Sequence, residues 1–177
     1  MRNSTATYGW LSKGLHWLMA CLIIGLLAVG IIMTDMPAAP QKYELYGLHK
    51  AFGIIVLSLV IIRIVWRSTN PTPTLPTTMP RWQRIASHAV HIALYAAMIG
   101  MPLSGWLMSS SFGYPTSVFG VIELPHLVDK NPARGELLGE IHETGMIAFF
   151  VLLALHVGAA LKHHFITKDG ILKRMLP

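Results

Sequence analysis

The sequence predicts an all-α membrane protein, a four-transmembrane-helix bundle with both termini cytoplasmic. Three observations carry that prediction. Hydrophobic residues make up 53% of the 177 and charged residues only 12%, against about 25% charged in an average soluble domain. Four apolar runs each approach or exceed the length of about 20 residues that a helix needs to span the hydrocarbon core. The basic residues, finally, collect on one side of the layer those runs define. The length is that of one domain, 1–177. The single cysteine, Cys21, excludes a disulfide framework, a CxxC redox pair and a cysteine-rich zinc or iron–sulfur site.

The first run, Gly14 to Met33, contains no acid and predicts a helix over about 14–34; Asp35 and the Pro37–Pro40 turn end it. A cleaved signal peptide is the competing reading, but the run exceeds the 7–15 residues of a usual signal core. The second helix covers about 47–67, with His49 and Lys50 in its first turn and Arg63 and Arg67 at its end. Ser68 to Pro80 carries four prolines in thirteen residues and cannot be helical. The third helix covers about 82–109, opening on Arg84, His88 and His91 and containing Pro102, a kink that membrane helices tolerate. A polar connection with Pro115, Pro125 and Pro132 leads to the fourth helix, about 137–164, and a basic tail.

Four spans put both termini on one side. That side holds ten basic residues against Asp169 alone, a net of +9; the other holds four basic residues against seven acidic ones, a net of −3. Basic residues mark the cytoplasmic side. The basic excess therefore serves topology, and no nucleic-acid partner is expected; the bilayer is.

Ionisable side chains in apolar spans are costly and point to function. On the fourth helix His142 and His156 are fourteen residues apart, about 21 Å along the axis and within roughly 40° of one face. With the topology above, His49 and His142 share the outer level, and His16 and His156 the inner one. Each pair draws on two helices. Two imidazoles facing each other from different helices are what bis-histidine haem ligation requires, one axial ligand on each side of a flat disc. Gly53 and Gly145, one turn from His49 and His142, leave room for such a disc. A divalent-metal transporter is the competing class, though zinc and manganese sites usually add carboxylates or cysteines.

Around the inner pair, Arg63 and Arg67 share a face by i, i+4 spacing and could meet haem propionates, or simply anchor the helix. His163 continues the stripe about 10 Å beyond His156. Histidine exchanges protons near neutral pH, so His163 is the candidate to hydrogen-bond a quinone and relay its protons. His164, Lys168 and His88 are further candidate quinone contacts.

The segments K-G-L-H-W, G-L-H-K-A-F-G, R-I-V-W-R…P-T-P, H-x-x-H-x-A-L-Y, P-L-S-G-W-L, I-H-E-T-G and L-H-V-G-A-A-L-K-H-H-F, with the L-K-R-M tail, resemble the bacterial two-haem cytochrome b561 family over nearly the whole chain. The resemblance implies two b-type haems in the bacterial inner membrane, with axial ligands at His16, His49, His142 and His156. It also implies electron transfer between a periplasmic partner and ubiquinone, the quinone site including His163. One branch of the family oxidises superoxide. The net −3 of the outer side, and Gly139 where a base would precede His142, depart from what an anionic substrate would favour. A small periplasmic protein or a dehydrogenase, with this chain as its membrane anchor and electron conduit, is the alternative.

Overall fold

The computed structural model describes residues 2–176. Helix α1 spans Trp10–Asp35, α2 Pro40–Ser68, α3 Arg81–Phe112 and α4 Pro132–Lys162. A short antiparallel hairpin, β1 Thr116–Val118 and β2 Ile122–Leu124, interrupts the connection between α3 and α4. The chain leaves α4 through a π-turn, His163–Thr167, and a final 3-10 turn, Leu172–Arg174.

All four helices are long and apolar enough to cross a membrane. Each starts ahead of its expected first residue, and at α2, α4 and the end of α3 the terminal residues show why. Helix α2 starts seven residues before the expected Gly47, with Pro40 in the first turn, where the missing N–H costs nothing and φ is already helical. Helix α4 starts five residues early. Asn131 caps it, its side-chain oxygen accepting from the Arg134 N–H at 3.1 Å. Helix α3 ends at Gly113, in the left-handed conformation with φ 77°. That conformation turns the Gly113 and Tyr114 N–H groups back onto the carbonyls of Ser110 and Ser109.

The bundle is apolar on its outside. Ile31, Ile32, Ile61, Ile62, Ile92, Ile147 and Phe150 are all more than half exposed, as side chains facing lipid would be. The buried core is small: Met19, Ile23, Val56, Val60, Leu94, Met98 and Phe149. It lies at mid-height, with a cavity on either side of it.

Both termini lie at the same end, which is the basic end. The Lys13 ammonium donates to the Leu176 carbonyl at 2.5 Å and the Trp17 indole to that of Met175 at 2.9 Å. The proline-rich 69–80 connection joins them there, through Asn3 to the Pro71 carbonyl at 3.0 Å and Arg174 to that of Thr74 at 2.5 Å. The hairpin lies at the opposite, acidic end.

Candidate functional site

The histidine stripe on α4 organises two cavities. His142, Phe149 and His156 follow at intervals of seven residues. Phe149, with Ile23 and Met98, lines both cavities and forms the apolar septum between them.

At the acidic end, His49 of α2 faces His142 of α4 with ring centroids 6.2 Å apart. The cavity around them has a volume of about 360 Å³ and is lined by all four helices, five methionines among them: Met33, Met98, Met101, Met108 and Met146. Two details orient the imidazoles. The Ser104 hydroxyl lies 2.8 Å from the Met101 carbonyl and 2.9 Å from His142 Nδ1. Its one proton goes to the carbonyl, so it accepts from Nδ1–H, and the His142 Nε2 lone pair is left free. His49 Nδ1 is buried without a hydrogen-bond partner, an arrangement that native structures rarely leave unexplained.

At the basic end, His16 of α1 faces His156 of α4 with ring centroids 6.1 Å apart. This cavity is smaller, about 140 Å³, and its floor includes Asn3, Tyr8, Thr72 and Met175 from the termini and the 69–80 connection. Arg63 and Arg67 both line it. Arg63 donates to the Tyr95 hydroxyl at 3.2 Å and reaches His16 Nδ1 at 3.2 Å.

A metal-bound imidazole nitrogen stands about 2 Å from the metal and the ring centroid about 1 Å further, so imidazoles on opposite sides of one ion have centroids about 6 Å apart. Both pairs have that spacing. Among the described residues, no three His, Cys, Asp or Glu side chains converge to hold a metal ion, so the donor sets are of the two-histidine kind. Nitrogen pairs without carboxylate or thiolate suit an iron already held in its equatorial plane by a macrocycle. The residues therefore fit haem.

Close packing positions the rings. A Cβ on Gly105 would come within 3.2 Å of the His142 ring, and one on Gly145 within 2.7 Å of the Met101 sulfur. Gly145 thus makes room for Met101 rather than for open space. Gly53 lines the acidic-end cavity, and a Cβ there would meet only Pro102, at 4.0 Å.

Sequence reasoning weighs His88 and His91 together as possible haem-propionate or quinone contacts and selects His88, whereas the structure brings His91 into the cavity. The His91 ring centroid lies 5.4 Å from that of His156, so the basic-end cavity holds three imidazoles from three helices. The H-x-x-H spacing of His88 and His91 was the available signal. The two residues part company, because three positions along a helix turn the side chain by about 60°. His91 lines the cavity and His88 is exposed. None of His163, His164, Lys168 and His88 lines it. His163 Nδ1 lies 2.5 Å from Asp169 Oδ2, just past the helix end. The His164 ring meets Phe165 edge-on at 4.7 Å, and Lys168 is exposed on left-handed backbone with φ 55°.

The chain matches the profile described as prokaryotic cytochrome b561 over residues 7–177. It is 37% identical to cytochrome b561 homolog 2 of Escherichia coli K12 over 98% of this chain and 93% of that protein. It is 30% identical to cytochrome b561 homolog 1 of the same organism, over 92% and 93%. To a protein of Yersinia pestis named probable superoxide oxidase it is 31% identical, over 96% of both chains. The chain belongs to the prokaryotic cytochrome b561 family, multi-pass membrane proteins that transfer electrons, and the family implies haem b.

Proposed function

We propose that this member of the cytochrome b561 family holds two haems b, one in each cavity, and carries electrons between a periplasmic donor and ubiquinone. The observation that carries the reading is the pair of facing imidazoles in each cavity, at 6.2 and 6.1 Å, with one apolar septum between the cavities. His49 and His142 would hold the outer haem, His16 and His156 the inner. Bound there, the haems supply reversible one-electron chemistry.

The remaining residues serve those centres. Ser104 fixes the His142 tautomer. Arg63 and Arg67 bring positive charge to the inner cavity and suit haem propionates. Phe149, Ile23 and Met98 keep water out of the space between the sites. The +9 and −3 ends support termini in the cytoplasm and a His49/His142 site near the periplasm, in the bacterial inner membrane.

Quinone reduction at the cytoplasmic end takes two electrons and two protons. His163, paired with Asp169 and seven residues beyond His156, is the residue to hold and pass a proton there. His164, Lys168 and His88 are neighbouring polar contacts for the same quinone.

Superoxide is the small donor that the Yersinia relative's name suggests. Two superoxide anions would release two dioxygen molecules and two electrons, which with two protons convert one quinone to quinol. The second reading, an electron conduit for a periplasmic protein, is favoured by the net −3 of that end. It is favoured too by the engagement of three of the four bases there with the chain itself. Lys42 caps the Thr34 and Met36 carbonyls, Lys50 holds the Pro115 carbonyl, and Arg134 holds that of Asp129. The purified protein, given a superoxide source and a soluble ubiquinone analogue, decides between them. Quinol formation that superoxide dismutase abolishes supports the first reading; none, from protein carrying two haems, supports the conduit.

A further inference from the structure

We propose that the tip of the β1–β2 hairpin, Phe119 to Ile122, is a lipid anchor that inserts into the headgroup–acyl boundary of the membrane at the acidic end.

The hairpin is amphipathic by strand alternation. Thr116, Val118, Ile122 and Leu124 share one face, buried at its base where Thr116 is 3% exposed and open towards the tip, and Ser117 pairs with Glu123 on the other. Its three-residue loop, Phe119 to Val121, opens with Phe119 and Gly120 at φ of 53° and 71°, the left-handed pair that asparagine and glycine usually supply. Phenylalanine is a costly choice there. What it provides is a ring packed edge-on against Phe52 of α2 at 5.3 Å. The tip nevertheless keeps its apolar surface in the open: Val121 is 84% exposed, Ile122 60% and Phe119 52%.

The bundle does not use that surface. The acidic-end cavity is lined by the four helices and by no residue of the 113–131 connection, so the hairpin is not its lid. Nor is the tip free to fold away. The Lys50 ammonium donates to the Pro115 carbonyl, the Trp106 indole to that of Pro125 at 3.1 Å, and the Leu127 N–H to Ser110 Oγ at 3.2 Å.

Depth identifies the occupant. Phe52 lies in the apolar run Ala51–Ile62, bracketed by Lys50 and Arg63, so the ring on which Phe119 rests begins the apolar belt of α2. The apolar tip continues that belt outward. Unpaired backbone groups at the strand edges keep it at the interface and out of the hydrocarbon. Tyr114, 62% exposed just before β1, is the residue type that sits at headgroup level. With seven acids at that end, insertion rests on apolar contact and needs no anionic lipid.

The test uses full-length protein with Cys21→Ala and, one at a time, Val121→Cys, Ile122→Cys or Glu123→Cys. Each is labelled with an environment-sensitive fluorophore and reconstituted into phosphatidylcholine vesicles, with or without lipids spin-labelled near the top of the acyl chain. The anchor requires blue-shifted emission at 121 and 122, quenched by the spin-labelled lipid and several-fold less accessible to iodide than the probe at 123. Adding Phe52→Ala to Val121→Cys should return that probe towards aqueous emission. Iodide quenching at 121 and 122 equal to that at 123 would overturn the proposal. Protection from both quenchers would also overturn it, in favour of a protein covering the tip. The readout requires no haem and no turnover, so it stands apart from the functional reading above.

Discussion

The two cavities share a ring spacing and differ in almost everything around it. The acidic-end site is roomy and methionine-lined, and a serine holds one of its histidines. The basic-end site is small, holds two arginines, a tyrosine hydroxyl and a third imidazole, and is floored by the termini. The facing of ligands is set by helix geometry and the heptad interval along α4. The electrostatics are set separately, by what the neighbouring helices bring. One scaffold thereby places two similar histidine pairs in unlike fields.

Gly105→Leu should have the largest effect. Its side chain would enter the space of the His142 ring, 3.2 Å from a Cβ, and abolish only the acidic-end centre. Pyridine haemochrome analysis should show about half the wild-type haem. Retention of both haems would mean that Gly105 does not pack against a ligand.

Arg63→Gln removes a full positive charge beside His16. A cation favours the reduced, less positive haem. A potentiometric titration should therefore show one of two waves moving to lower potential while the other stays. Movement of both would mean that the septum does not separate the fields.

Ser104→Ala acts on the other site and more gently. Losing the acceptor for Nδ1–H makes His142 a weaker donor to oxidised iron. A hydrogen bond worth about 0.5–1.5 kcal/mol corresponds to roughly 20–60 mV for one electron, and the shift should be upward and confined to the acidic-end wave.

His91→Phe should have the smallest effect. The haem complement stays at the wild-type level, and the low-spin electron paramagnetic resonance signal of the basic-end centre alone is perturbed. Loss of a haem would make His91 a ligand in place of His16.

Much of the comparison was legible in the chain. The four spans follow from hydropathy, and the spacing of His142 and His156 on one helix predicts two levels before any neighbour is known. What escaped depends on neighbours or on caps. His88 and His91 look alike in sequence, and only the packing of α3 beside α4 turns one inward. Ser104 reads as one more small polar residue after Pro102 until its proton is assigned. Pro40 and Asn131 did carry readable start signals, a proline for the first helical turn and a capping side chain, which the apolar runs outweighed. The hairpin had no Asn-Gly or Asp-Gly turn to announce it, because Phe119 occupies the left-handed position.

Two haems, one held in each cavity, would be counted by haem stoichiometry with reduced-minus-oxidised spectra of wild type, His142→Ala and His156→Ala. Two haems b per chain are expected in wild type and about one in each variant, the lost low-spin centre differing between the two. One haem or none in the wild type would contradict the two-haem reading, as would the same centre disappearing from both variants.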